Sequence, residues 1–207
     1  FKFQNFYSSI RLIVYGFFMK LVVADRLAIY VDSVYNNTDH HNGNTFALAT
    51  LFFSFQIYCD FAGYSSIAIG VSRIMGINLM TNFRRPYLSK SVSEFWRRWH
   101  ISLSTWFKDY LYISLGGSRV KSKVRIAMNL LITFLISGFW HGANWTFVVW
   151  GGLNGFYLIV ENYFKIRSHA IQWFLNKFSF IRSLYVFVLI YFSWIFFRAR
   201  NIDEALY

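Results

Sequence analysis

The chain has 207 residues, of which 56% are hydrophobic, 23% aromatic and only 14% charged, with a mean hydropathy of +0.36. A water-soluble domain carries about 25% charged residues, so this composition excludes one and describes an integral membrane chain. The net charge of +12 does not point to nucleic acid: no Lys or Arg lies between Arg26 and Arg73, while ten of the 21 fall between Arg84 and Arg125, the pattern of a cytoplasmic segment facing anionic lipid.

Phe1 stands where an initiator methionine would, and Lys2 to Ile10 lacks the form of a secretory leader, so the chain is expected to be an internal piece of a longer protein. Ile10 to Ala24 is apolar apart from Arg11 and Lys20, and is expected to be a helix near one membrane face or buried against others. Residues Asn36 to Asn44 form a polar loop of turn formers. Asp39, His40 and His41 lie there, but adjacent histidines in such a loop lack the spacing of a metal site, and no metal is expected. Thr45 to Leu79 follows, broken only by Asp60 and Arg73. As one helix it would be roughly 50 Å long against a hydrocarbon core of about 30 Å, so it must tilt, protrude or break, with Gly63, Gly70 and Gly76 as weak points. Cys59 is the only cysteine, which rules out an intramolecular disulfide and leaves it as a small core residue.

Pro86 marks a boundary. Ser91-Val92-Ser93-Glu94 fits a capping box with Ser91 as N-cap and Glu94 at the third helical position. The helix it opens carries Phe95, Trp96, Trp99, Leu103 and Trp106 among Arg97, Arg98 and Lys108, the composition of an interfacial helix. Gly116 to Arg119 ends it in a turn. Ile126 to Val160 has no charged residue, yet is too long for one straight span and short for two with a turn, which leaves room for re-entrant segments. Glu161 to Arg182 is mixed and amphipathic, and Leu184 to Phe197 is again apolar. Asn201 is a good N-cap, with Asp203 and Glu204 in the first turn of a final helix. The fold class is all-α: a multi-pass helical membrane protein, residues 1–207 forming one helical unit with interfacial and re-entrant helices among its elements.

His141 lies near the midpoint of the charge-free stretch, at membrane depth, where an ionisable side chain is read as functional. Imidazole also takes up and returns a proton near neutral pH. Against this stands helix packing: Gly138 and Gly142 have the G-x-x-x-G spacing that brings backbones together, and His141 could be structural glue. Trp140, Asn144 and Trp145 favour a lined polar cavity. His100, one helical turn from both Trp96 and Ser104, reads by itself as an amphipathic filler. For Asp60, alone in apolar surroundings, an ion pair or hydrogen-bonded structural role is the better reading. There is no phosphate loop, H-E-x-x-H, paired-cysteine site or G-x-S-x-G elbow.

Several strings, read in order, resemble the bacterial polysaccharide branch of the membrane-bound O-acyltransferase family. They are Gly16 to Asp25, Gln56 to Ser65, Glu94-Phe95-Trp96-Arg97-Arg98-Trp99-His100-Ile101-Ser102-Leu103-Ser104, Trp106 to Gly117, Gly138-Phe139-Trp140-His141-Gly142 and Phe196-Phe197-Arg198-Ala199. Tyr110 to Gly117 is similar to the alginate-type O-acetyltransferase string, with Ser114 where a proline is common. A neighbouring group transfers D-alanine to teichoic acids. The resemblance implies a multi-pass enzyme of the bacterial cytoplasmic membrane with a tunnel through the bilayer. It implies acyl transfer from a cytoplasmic thioester donor, such as acetyl-CoA as co-substrate, to a polysaccharide hydroxyl or a periplasmic acyltransferase partner. No tightly bound cofactor is implied. His141 matches the family's W-H-G histidine, its presumed catalytic residue, and His100 a second histidine associated with activity. Asp60, Trp99, Trp140 and Asn144 are carried as tunnel-lining or supporting residues. A proton-coupled transporter using His141 and Asp60, and an inert scaffold that docks secreted acyltransferases, are the readings from other classes.

Overall fold

The computed structural model describes residues 3–164 and 178–206, which contain helices and turns and no strand. The mixed stretch Glu161 to Arg182 thus lies largely outside the described residues. The chain divides into two compact units, Phe1–Phe83 and Arg84–Tyr207.

In the first unit, α1 (Phe3–Phe17) runs through a π-helical stretch, Phe18–Ala24, directly into α2 (Asp25–Tyr35). Within the wide stretch the Asp25 N–H donates to the Lys20 carbonyl, five residues back. The Asn42 side chain then caps α3 (Gly43–Ile74), accepting from the Thr45 N–H at 3.1 Å. All three parts of the first helical run pack on α3. The 32 residues of α3 would span about 48 Å. It does not break at Gly63 or Gly70; it ends beside Gly76, whose φ of +82° suits a glycine. Gly63 is a packing surface instead. A Cβ there would lie 2.7 Å from the Gly16 carbonyl oxygen, and one on Gly16 would lie 2.6 Å from that of Gly63. Paired glycines let the α1 and α3 backbones touch. Inside this unit Lys20 bridges Asp25 and Asp60, each at 2.8 Å.

The second unit opens with a short 3₁₀ turn, Pro86–Leu88, and α4 (Val92–Arg98). Ser91 caps as expected, the Glu94 N–H donating to Ser91 Oγ at 3.0 Å, but the return bond is shifted by one residue: Glu94 Oε2 accepts from the N–H of Lys90, not of Ser91, at 2.7 Å. The expected continuous interfacial helix does not form, because the chain breaks at His100, which takes φ +43° and ψ +57°. The break separates α4 from α5 (Ile101–Trp106), which widens into a second π-helical stretch, Phe107–Tyr112. Trp96, His100 and Ser104 therefore do not share one helical face. The aromatic face of α4 packs into protein: Phe95 and Trp99 are buried and stacked on one another. Gly116 and Gly117, at φ +104° and +56°, turn the chain, and Asn129 Nδ2 donates to the Gly117 carbonyl at 3.1 Å.

The charge-free stretch is a helical hairpin of α6 (Lys123–His141) and α7 (Trp145–Tyr163). Gly138 meets Phe147 and Gly151, Gly151 meets Phe134, and Gly155 meets Leu131, so the two helices run antiparallel. The unit is completed by α8 (Ser179–Arg198) and the short α9 (Ile202–Leu206), whose Glu204 N–H donates to Asn201 Oδ1 at 2.8 Å. Among the described helices, α3, α6 and α8 are long and apolar enough to cross a membrane.

Candidate functional site

His141 is the last residue of α6. The midpoint of the charge-free stretch is the tip of the hairpin, so His141 sits at the end of its helix and not halfway along a span. Position along the chain stands for membrane depth only in a straight span; a hairpin uncouples the two.

The half-buried imidazole is walled by aromatic rings. Trp140, Trp150 and Phe197 present edge-to-face contacts with centroids at 5.1, 5.1 and 5.2 Å, and Phe147 lies at 6.4 Å. Such pairs contribute about 0.5–1.5 kcal/mol each beyond area burial and fix relative orientation. The wall is a product of glycine. A Cβ on Gly138 would overlap the Phe147 carbonyl, and one on Gly151 the Phe134 carbonyl. Without side chains at these positions α6 and α7 close until Trp150 reaches the His141 ring.

Trp150 also stacks on Trp194 of α8 at 6.1 Å and meets Trp96 of α4 at 5.7 Å. Trp194 in turn lies 5.1 Å from Trp99. One ring cluster thus connects His141 to the residue preceding His100. The two histidines, 41 positions apart in sequence, are linked through Trp150, Trp194 and Trp99.

His100 owes its place to a strained backbone. A left-handed conformation costs a residue with a Cβ roughly 1–2 kcal/mol, and such strain persists where surrounding structure enforces it. The enforcement is visible. Ser104 Oγ donates to the Trp99 carbonyl at 3.0 Å, and Ser102 Oγ lies 3.4 Å from His100 Nδ1. Burial pushes the His100 imidazole down to about 4, so it is neutral at pH 7 and presents one N–H and one lone pair.

The remaining sequence candidates fall in different places. Trp99 is buried between Phe95, Trp194 and Tyr87. Trp140 is 60% exposed beside His141, its other ring neighbour being Phe107. Asn144 caps α7 by accepting from the Thr146 N–H at 3.1 Å and donates through Nδ2 to the Arg200 carbonyl at 2.7 Å. It therefore ties the hairpin tip to the segment after α8. Asp60 belongs to the first unit, paired with Lys20. Sequence reasoning does not single out Trp150, Phe197, Ser102 or Ser104 as site residues. Phe197 and the serines sit inside the matched strings, but Trp150 is marked only by its place between Gly138-facing Phe147 and Gly151.

A model of the membrane-bound O-acyltransferase (MBOAT) family matches residues 1–200. The chain is 43% identical over 190 residues to a probable alginate O-acetylase of Azotobacter vinelandii, covering 92% of this chain and 37% of that protein. It is 40% identical over 210 residues to a peptidoglycan O-acetyltransferase of Helicobacter pylori, covering 99% and 38%. A teichoic acid D-alanyltransferase of Streptococcus thermophilus is 33% identical over 175 residues, covering 80% and 42%. The chain spans less than half the length of each of these relatives.

Proposed function

The chain belongs to the membrane-bound O-acyltransferase family, and from that premise we propose that the full protein transfers an acetyl group from a cytoplasmic thioester to a hydroxyl of a cell-envelope glycan or of a periplasmic relay partner. The observation that carries this reading is the unbroken series of ring contacts from His141 through Trp150 and Trp194 to Trp99, the residue before His100. Acetyl is favoured over D-alanyl by the higher identity to the two O-acetyl-transferring relatives, at 43% and 40% against 33%.

An alcohol is a weak nucleophile, and a positioned general base contributes typically about 10²–10⁴-fold. His141 takes the acceptor hydroxyl proton as the oxygen attacks the thioester carbonyl. The new C–O bond forms, the tetrahedral intermediate collapses, and the C–S bond breaks. The departing sulfur receives the proton from the His141 imidazolium and leaves as a thiol. In the tautomer whose Nδ1 accepts from Ser102 Oγ–H, neutral His100 carries its proton on Nε2 and directs it at the developing oxyanion or the acceptor. The Trp140, Trp150, Phe147 and Phe197 wall keeps water from the thioester. Trp99 and Asn144 hold the two histidine-bearing turns, and Asp60 serves the first unit through its Lys20 pair. The setting is the bacterial cytoplasmic membrane, with acetyl-CoA as co-substrate and no tightly bound cofactor or metal.

The test uses full-length protein in membranes with radiolabelled acetyl-CoA. His141→Ala abolishes transfer to a hydroxyl acceptor without lowering the amount of folded protein, and His100→Ala reduces it. Transfer that survives His141→Ala refutes the assignment. Proton flux without acyl donor would favour a transporter, and indifference to both substitutions a scaffold.

A further inference from the structure

The first four amides of a helix have no partner within it and must find one elsewhere. In α4 the Glu94 N–H is served locally by Ser91 Oγ, and the Phe95 N–H already opens the regular helical ladder on the Ser91 carbonyl at 3.0 Å. The first two are served from far away. The Val92 N–H donates to Glu161 Oε2 at 2.6 Å, and the Ser93 N–H to Glu161 Oε1 at 3.3 Å. Glu161 lies in the last turn of α7, 69 residues downstream of Val92.

A carboxylate at a helix N-terminus is favoured by both hydrogen bonding and the helix dipole. Here it also joins two elements that hold the two histidines. The hairpin of α6 and α7 carries His141 at its tip. The seven residues of α4, about 10 Å of rise, separate its capped start from His100. So short a helix does not bend; an axial slip at Val92 reappears at His100. Trp96 on Trp150 sets its height at mid-length, but ring contacts slide more readily than two hydrogen bonds to one carboxylate.

We propose that Glu161 is a positioning residue: its carboxylate, seated on the Val92 and Ser93 amides, sets the axial placement of α4 and so the placement of His100 opposite His141. The activity consequence rests on the acyl-transfer reading above; the placement itself does not.

The experiment takes full-length protein in membranes with Glu161→Ala, Glu161→Gln and Glu161→Asp, each alone and combined with His100→Ala. Two readouts are taken: acetyl transfer from acetyl-CoA, and the rate at which diethyl pyrocarbonate modifies His100, followed by mass spectrometry. In Glu161→Ala, His100 modification accelerates several-fold. Transfer falls on the order of a hundredfold, the effect of an ångström-scale misplacement. Glu161→Gln, which keeps an acceptor but not the charge, falls between, and KM for the thioester stays unchanged. In the His100→Ala background removal of Glu161 produces no further loss, since both substitutions remove the same placed imidazole. An unaltered His100 modification rate in Glu161→Ala, or equal proportional losses in both backgrounds, overturns the proposal. If wild type transfers no acetyl while His100 modification still responds to Glu161, the placement stands and the acetyl-transfer reading falls.

Discussion

Substituting Gly151 with alanine tests whether the close approach of α6 and α7 makes the site. A Cβ there falls inside the contact shell of the Phe134 carbonyl oxygen and lies 3.3 Å from Gly138 Cα, and both neighbours are backbone with no rotamer to yield. The helices must part by on the order of 1 Å, a backbone shift of the kind for which overpacking costs about 1–3 kcal/mol. The melting midpoint of the full-length protein in detergent falls accordingly. The same ångström enters the spacing between His141 on α6 and Trp150 on α7, now 5.1 Å between ring centroids, and misplacement of that size costs on the order of a hundredfold in rate. Gly152→Ala is the control. Its Cβ meets only Leu135 Cδ2, at an ordinary 3.6 Å, and alanine gains up to about 1 kcal/mol of helix propensity over glycine. The assay is acetyl transfer by full-length protein in membranes, beside a thermal melt of each variant. Wild-type transfer in Gly151→Ala, under conditions where His141→Ala is inactive, would refute the link between backbone approach and site geometry.

Other outcomes follow from the His100 turn. His100→Gly and His100→Ala both lose the imidazole, but only glycine relieves the left-handed backbone, so the glycine variant is more stable by about 1 kcal/mol and melts at the higher temperature. The reverse order of midpoints would contradict the strain. Acidification gives a second check. Above about pH 6.5 His100 is neutral folded and unfolded and contributes no pH dependence. Between about 6.5 and 4 the unfolded chain takes up a proton that the folded chain refuses, so stability falls as pH falls, by up to about 1.4 kcal/mol per pH unit. In His100→Asn, which does not titrate and tolerates the left-handed region, the melting midpoint between pH 7 and 5 changes less than in wild type; parallel curves would exclude His100 as the group responsible.

Boundaries written in local hydrogen-bond chemistry are legible in the sequence alone. Ser91 and Asn201 announce the starts of α4 and α9 because a short polar side chain can reach an amide two or three residues on. The aromatic wealth of residues 95–106 is legible too, though not its direction, because rings beside arginines look alike whether lipid or protein covers them. The break at His100 leaves no local trace. Trp96, His100 and Ser104 keep helical spacing, no glycine marks the turn, and the left-handed residue is held by Ser104 on the Trp99 carbonyl. Gly63 and Gly70 read as weak points because a glycine in sequence shows its freedom, while its partner, the Gly16 carbonyl or Ile13, shows only in three dimensions. Glu161 is hidden for the same reason: its partners lie 69 and 68 residues away.

The widened turn between α1 and α2 bears on how this chain tolerates change in length. A regular helix advances about 100° per residue, so its faces stay in phase only while no residue is gained or lost. The i to i+5 pattern across Phe18–Ala24 absorbs one extra residue and resets that phase midway. Both α1 and α2 can thereby address the same partner, α3, from one uninterrupted run. Removing a single residue from that stretch would restore a regular helix and leave every bulky side chain intact. It would nonetheless rotate Val31, Val34 and Tyr35 by about 100° away from α3 and strand the Tyr35 hydroxyl from Thr50, now 2.7 Å away. A deletion here acts at a distance, as an error of angle and not of content.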